Sequence, residues 1–574
     1  MNSETQWRYK ETDADLALMA EVLGISEVTA NVLANRGLRT KKTAQAFLRP
    51  LAAPLHDTML MKGAAESLTR IISALKKGEK IVVYGDYDVD GVTSTVIVYR
   101  VLKRLGGWVD YYIPHRVEEG YGLNHNAVKS LAEGGTELLI TVDNGISAVE
   151  EIGAAAALGM DTVVIDHHEA GESLPPAVAI VDPKQPGCAY PFKELCAGGV
   201  AFKLMGALCE RLNTPYLEEG EMSVFAAMAC ICDIVALQDE NRTLVHRGLT
   251  ALNQHKHLNP GLGALITQRG YLDKPIDTYC IGFIIGPCLN ATGRLNSAAL
   301  AVELLLTDEI DRRLTLAQEL AALNNERKEL TADCVERALA VLEKETALPK
   351  VIVLTDPEAH ESVAGIVAGR VRDHTGHPTI LLTKGDGGIK GSGRSIAAYN
   401  LFEALYKHKH LFQRFGGHAM AAGLSMVEEN IPALTAALNK DCTLTPGDFQ
   451  PIFDIDCFLQ PGDISLELSR ELEALAPFGK GNAAPLFATL DLQVTAVRNI
   501  EAKNTLIFTF KNPAGYPLKG IAFGQNKKYA EWVEQAGVSP TGGYSMDVAY
   551  RIETNVYNGS VSVQLGIRDM KIAP

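Results

Sequence analysis

The stretch YGDYDVDG, residues 84–91, sets Asp86, Asp88 and Asp90 two positions apart, directly after the apolar run KIVVYG (80–85). Carboxylates this close repel one another, so something positive is needed to offset them. The apolar run reads as a strand, and four more follow at helix-length intervals: WVDYYIP (108–114), ELLITVD (137–143), DTVVIDH (161–167) and AVAIVDP (177–183). Near-continuous apolar strands joined by helical connections predict a parallel sheet covered on both faces. In such a sheet, ligands gather at the C-terminal ends of the strands.

Acidic and imidazole groups recur at three of those ends. The first run delivers Asp86, Asp88 and Asp90, the third Asp143 in TVDNG, and the fourth Asp166, His167 and His168 in VIDHHE. Oxygen-rich groups with one or two imidazoles suit Mn²⁺ or Mg²⁺ better than a structural zinc site. Two such ions would neutralise most of the carboxylate charge, lower the pKa of a bound water and clamp a phosphoryl oxygen. Taken singly, each motif has a plainer reading. DYDVDG opens like an EF-hand calcium loop, but the twelfth loop position is Ile97 where that loop needs Glu. Asp143 alone reads as a helix N-cap, and paired histidines are common on surfaces. The joint pattern at three strand ends carries the metal reading.

The rest of the chain sets the context. At 574 residues it is too long for one core. Its 47% apolar content, without low-complexity tracts, marks a globular protein. The longest apolar run, FAAMACICDIVAL (225–237), contains Asp233 and falls short of the ~18 residues of a membrane span. The N-terminus shows no apolar signal region, so a cytoplasmic location is expected. Ten cysteines without CxxC spacing read as reduced buried thiols. Net charge is −15, from 54 basic and 69 acidic side chains. A polyanion would therefore need a local basic groove.

Residues 1–55 read as short helices. Residues 308–345 contain no Gly or Pro and predict a helix some 50 Å long between two α/β blocks. A second α/β unit begins at KVIVLTD (350–356). From about 450 the pattern alternates by twos between Gly and Asn turns, as in a small β-barrel. Phe508, Phe510 and Tyr516 in that barrel are candidates for base stacking, with a core role as the plainer reading. YKHKH (406–410) is either a strand contact or a solvated helix face.

GDYDVDG, TVDNG and DHH in this order resemble the first three motifs of the DHH phosphoesterases, and Asp233 in ICDIVAL matches the fourth, an Asp in an apolar helix. Smaller members carry a histidine where this chain has Tyr84. The additional Asp86 is similar to the long nuclease branch. HESVAGIVAGRV (360–371), GSGRS (391–395) and FGGHAMAAG (415–423) resemble the DHH-associated domain. Over nearly the whole chain the match is to the bacterial RecJ nucleases. The resemblance implies a DHH domain (56–305) after the N-terminal segment (1–55), a connecting helix (306–346), a DHH-associated domain (347–445) and a C-terminal OB-fold (450–574).

It further implies a metal-dependent exonuclease acting 5′ to 3′ on single-stranded DNA in recombination and repair, with two Mn²⁺ or Mg²⁺ ions. Asp86, Asp88, Asp90, Asp143, His167 and Asp233 would hold the ions, with Asp143 bridging. His168 would contact the scissile phosphate or serve as a ligand, and catalysis would rest on His168, Asp143 and Asp88. Arg116, Arg294, Ser392 and Arg394 would hold the terminal 5′-phosphate and the adjacent backbone, and His418 would touch phosphate. A groove between the two α/β units would admit one strand and exclude a duplex. A monomer is expected, with a single-strand-binding protein and a helicase as partners and no membrane. Two rivals are a DHH enzyme for small substrates (oligonucleotides or nucleoside bisphosphates) and a catalytically inactive scaffold.

Overall fold

Strands Lys80–Tyr84, Trp108–Tyr112, Leu138–Val142, Asp161–Ile165 and Ala179–Val181 fall within the five apolar runs. All neighbours in the sheet are parallel. Their spatial order is 108–112, 80–84, 138–142, 161–165, 179–181. The chain leaves Lys80–Tyr84 toward one edge and returns to Leu138–Val142 on its other side. That reversal opens the crevice in which α/β sheets bind ligands. Leu138–Val142 is buried at every position, as expected for a strand covered on both faces. Helix Val89–Arg104, which follows the acidic turn, is itself buried along most of its length.

The computed structural model describes residues 5–116, 118–216, 219–385, 388–513, 515 and 517–572. They divide into two units: Leu55–Val235 with Arg247–Gln450, and Met1–Pro54 with Ala236–His246 and Pro451–Pro574.

The first unit holds both α/β blocks. Helix Ile310–Leu342 has 33 residues, about 50 Å at 1.5 Å each. It is no free strut. Its first half buries Leu316, Ala317, Leu320, Ala321 and Asn324. Its second half puts Cys334, Ala338 and Leu342 into the core of the second block, against Val363, Val367 and Val371 of helix Glu361–Thr375. The second block's sheet runs 414–418, 421–426, 388–394, 379–385, 352–355. Only its last pair is parallel.

In the other unit, strands Phe487–Ile500, Thr505–Phe510, Leu518–Phe523, Ser560–Ile572 and Tyr544–Tyr557 pair in that order, and the last pairs back onto the first. Closure removes the sheet edges. With helix Asn526–Ala536 placed between the third and fourth strands in sequence, this is an OB-fold. The N-terminal helices share its core: Val32, Leu33, Ala44 and Phe47 pack in one cluster with Phe487, Phe508 and Phe510. Sequence reading expected only helices before residue 55, but Gln6–Tyr9 is a strand, parallel to Ile452–Ile455. The stacking candidates in the barrel are corrected. Phe508 and Phe510 are 0% and 1% exposed, with parallel rings 5.8 Å apart inside the core. Tyr516 lies outside the described residues. Burial wins because both rings stand on the inward side of an alternating strand.

Among the described residues, no single helix is long and apolar enough to cross a membrane. The ten cysteines, all among the described residues, form no disulfide, and seven of them are buried.

Candidate metal centre

Asp88 caps helix Val89–Arg104, its Oδ1 accepting from the backbone N–H groups of Asp90 at 2.9 Å and Gly91 at 3.1 Å. The turn is tight: a Cβ on Gly91 would stand 2.5 Å from the backbone oxygen of Asp86, so glycine is required by space. Asp90 points at a second helix, Ala197–Arg211, and accepts from the N–H groups of Ala197 at 2.9 Å and Gly198 at 2.7 Å. Two helix N-termini therefore lend partial positive charge to the acids.

Asp143 follows its strand with φ at 62°, a left-handed conformation that Asp and Asn tolerate better than other side chains. Tyr121 donates its hydroxyl to the Asp143 carbonyl at 3.1 Å. Asp233 sits immediately after helix Glu219–Cys232 and not within it, which corrects the expectation of a helical position.

These groups converge. His167 Nε2 lies 3.2 Å from Asp143 Oδ1, 3.7 Å from Asp90 Oδ2 and 3.7 Å from Asp233 Oδ2. Three overlapping trios have ligand atoms within 4.8 Å of one another: Asp86–Asp88–Asp143, Asp90–His167–Asp233 and Asp143–His167–His168. Asp143 belongs to the first and third, His167 to the second and third.

The electrostatics show what the cluster lacks. Burial and the charge of Asp88 push Asp86 up to about 8. Burial, then the charge of Asp233, raises Asp90 well above the usual carboxylate range. Burial, then the charge of Asp90, does the same to Asp143. Burial, then the charge of His168, pushes His167 down to about 3, which keeps its imidazole neutral. His167 Nε2 and Asp86 Oδ1 are buried without a hydrogen-bond partner. Unsatisfied groups of this kind are costly. A neutral imidazole and converging carboxylates fit hard divalent cations. His168 differs. Burial acts to lower it, but the hydrogen bond and charge of Asp166 outweigh that and hold it at about 9. Asp166 Oδ1 lies 2.7 Å from His168 Nδ1, and Oδ2 accepts from the Ile146 N–H at 2.9 Å.

The cationic residues form a second cluster. The Arg116 guanidinium lies 4.7 Å over the Tyr87 ring. Arg294, in the last turn of helix Gly286–Leu295, donates to the backbone carbonyl of Ser362. Arg394 donates to Ser392 Oγ at 3.1 Å and to the Gly393 carbonyl at 2.8 Å. Both side chains crowd Gly365, where a Cβ would stand 2.7 Å from Arg394 Nη2 and 2.8 Å from Ser392 Oγ. Burial lowers Arg294 to about 10, and the charges of Arg116, Arg327 and Arg394 push the same way. Among the described residues, Arg116, Arg294 and Arg394 form no ion pair. His418 is exposed at the end of strand Arg414–His418. It pairs with Ala421, which pairs in turn with Arg394. It does not belong to the groups that close on the acids.

Sequence reading missed several supports. Asp166 was visible in VIDHH, but its anchoring role needs the geometry. Asn290 accepts from the Val89 N–H at 3.1 Å. Arg327 feels the like charge of Arg370 on a neighbouring helix, a pairing that sequence spacing does not show. Neither Tyr121 nor Gly198 carries a local signal.

Residues 80–231 match the DHH family, N-terminal domain; residues 348–443 the DHHA1 domain; and residues 455–569 the RecJ OB domain. The single-stranded-DNA-specific exonuclease RecJ of Bacillus subtilis is 37% identical over all of this chain and 71% of its own length. The Escherichia coli protein of the same name is 32% identical, over 98% of this chain and 99% of its own. The crystal structure of Thermus thermophilus RecJ in complex with Mn²⁺ superposes with a TM-score of 0.84 at 30% identity, covering 99% of this chain and 80% of that one. From the matched order of domains and this identity along its full length, the chain belongs to the RecJ family.

Proposed function

We propose that the protein is a metal-dependent exonuclease that removes nucleotides from the 5′ end of single-stranded DNA. One observation carries this reading: a cage of carboxylates around an imidazole nitrogen without a hydrogen-bond partner stands beside a cluster of arginines that, among the described residues, forms no ion pair. The first calls for cations and the second for phosphate.

Asp86, Asp88, Asp90, Asp143, His167 and Asp233 would hold two Mn²⁺ or Mg²⁺ ions, with Asp143 shared between them. Such ions, when bound, activate a water and stabilise the charge that develops on the phosphoryl oxygens. The protein's own groups do the positioning. Asp166 fixes the His168 ring through Nδ1 and directs the imidazole at the scissile phosphate as a hydrogen-bond donor. Arg116, Arg294, Ser392 and Arg394 receive the terminal 5′-phosphate, for which planar guanidinium forks are suited. Position relative to that pocket sets the bond that is cut, and hence 5′-to-3′ polarity. His418 lies along the same sheet and extends the phosphate contacts. The OB-fold grips the strand. The relatives' names and the metals in their structures support this assignment.

Function as a cytoplasmic monomer in recombination and repair follows from the same reading, as does work beside a single-strand-binding protein and a helicase. A small substrate would need no OB-fold platform, and an inactive scaffold would not be expected to keep every ligand. The deciding experiment is digestion of end-labelled single strands and duplexes with Mn²⁺ or Mg²⁺. Release of mononucleotides from 5′-phosphorylated single strands is expected. Cleavage of dinucleotides alone, or none with saturating Mn²⁺, overturns the reading.

A further inference from the structure

The residues beside Asp233 hold three features that the metal centre does not explain. First, helix Thr278–Cys280 continues through a π-helical turn, Ile281–Ile285, into Gly286–Leu295. A single π turn inside a helix is frequently found at a functional site. It seats on the end of helix Glu219–Cys232: a Cβ on Gly286 would stand 2.5 Å from Cys232 Sγ, and one on Gly282 3.4 Å from Ile231 Cγ2. Second, Ile234, next to Asp233, has φ at 58°. A β-branched residue in the left-handed region is strained, yet this one is 64% exposed, so core packing does not hold it there. Third, Tyr279 and Phe283 are 61% and 66% exposed and stack on each other, with centroids 5.0 Å apart and planes at 28°.

Isolated apolar side chains on a surface need no explanation. A stacked aromatic pair on a widened turn is different, since both rings stay in water although cores stand close by. The neighbouring Cys280 feels the charge of Asp277 first and then those of Lys256 and Lys274. Asp277 caps the turn, accepting from the Cys280 N–H at 2.8 Å.

We propose that Tyr279 and Phe283 form a stacking platform for the nucleobases of a single strand as it passes toward the acidic cage, with Ile234 as its apolar margin. This rests on the nuclease reading above and adds positioning residues to it. Bases offer a π-face whatever their sequence, and aromatic–base stacking suits an enzyme that must accept every base. Tyr279 precedes the π turn and Phe283 lies within it, and the turn packs on the segment that carries Asp233.

The test has two arms. In EDTA, a 5′-phosphorylated oligothymidylate with one 2-aminopurine, placed at successive positions, is titrated with wild type, Tyr279→Ala, Phe283→Ala and Tyr279→Phe. The platform predicts fluorescence quenching at one or two positions by wild type and Tyr279→Phe, lost in both alanine variants. With Mn²⁺, the alanine variants should raise KM on a twelve-nucleotide strand roughly 5- to 100-fold, the range of a single stack. Their turnover of a 5′-phosphorylated dinucleotide should be unchanged. An abasic strand should cost wild type the same factor and the variants nothing further. Unchanged quenching and KM in both alanine variants overturns the platform, and is the result expected if a protein partner covers the pair instead. Failure of wild type to hydrolyse any strand overturns the nuclease reading, and the quenching arm still decides separately whether bases stack on these rings.

Discussion

Replacing Asp143 with Asn should stabilise the metal-free protein while abolishing its chemistry. Asn is the right probe because residue 143 has φ at 62°: Asn accepts that conformation, whereas Ala would add strain to the lost charge. The Asp143 oxygen lies within 4.8 Å of ligand atoms on both Asp86 and Asp88. With an effective dielectric near 20, one like-charge pair at that separation costs about 3 kcal/mol when both groups are ionised. At neutral pH the cost is partly avoided, because the raised carboxyls hold protons.

The sign follows from Asp86. Its folded value of about 8 lies above the unfolded value near 3.9. Its protonation therefore favours the fold fully below about pH 4, and that contribution fades as pH climbs through 8. Metal-free wild type should lose melting temperature steadily from pH 5 to 8.5. Asp143→Asn should lose less and melt a few degrees higher at pH 8.5, at roughly 2 °C per kcal/mol for a unit of this size. Mn²⁺ reverses the pattern in wild type. Its ligands must be deprotonated, so at a fixed Mn²⁺ concentration the stabilisation should grow with pH, reaching about 2.7 kcal/mol per ion where that concentration stands a hundredfold above Kd. The variant should show little rise. Differential scanning fluorimetry in EDTA and in Mn²⁺ at pH 6, 7 and 8.5 checks all of this. A variant that melts below wild type in EDTA at pH 8.5, or that keeps the full Mn²⁺ shift, would refute the reasoning.

Arg294→Ala should lower kcat/KM on 5′-phosphorylated ends by roughly 10- to 100-fold, the worth of a charge-assisted hydrogen bond, and spare 5′-hydroxyl ends; parallel assays on the two ends decide it. Asp166→Asn should lower kcat by roughly 10²-fold or more, within the range for a misplaced donor or acid–base group, with Mn²⁺ affinity within a few-fold of wild type by calorimetry. Gly91→Ala should destabilise the protein by about 1–3 kcal/mol through overpacking and weaken Mn²⁺ binding, read as a lower melting temperature and a smaller metal-induced shift.

The site was legible where chemistry coincides with strand ends. Apolar runs of fixed length fix the sheet, the sheet fixes which ends lie together, and the acids stand at those ends. The approach of His167 to Asp90 and Asp143 follows from that order, whereas Asp233, which stands after helix Glu219–Cys232 and 3.7 Å from His167, was reached only through the family resemblance. Supports that depend on distant packing were not legible. Nothing local distinguishes Gly198 from other helical glycines, although a Cβ there would stand 2.4 Å from the Ala229 Cβ. The long helix was legible as a helix, but its two buried faces follow from what packs on them. Phe508 and Phe510 show the converse limit. An aromatic in a barrel strand faces in or out by one position of register, and the alternating pattern is too short-ranged to say which face meets the core. Arg242 is a further case: it donates to the carbonyls of Phe47, Ala476 and Pro477 and is almost fully buried, and nothing local in the sequence signals that burial.

The acids and the arginines could have cancelled each other. Arg116 already lowers the Asp86 carboxyl through its charge, and Tyr87 feels both clusters at once. An ion pair between them would relieve two sets of repulsion, and the fold prevents it. Arg116 is held over the Tyr87 ring, Arg294 on the Ser362 carbonyl and Arg394 on Ser392, while Asp88 and Asp90 are held by helix N-termini. None of these anchors carries a full charge, so each charge is positioned without being neutralised. Destabilisation of this kind persists at functional sites, where the ligand supplies what the fold withholds. Cations alone would satisfy only the acids, and a phosphate alone only the arginines. A phosphodiester with its metals satisfies both, so metal and strand should bind with positive coupling, each tightening the other by the same factor.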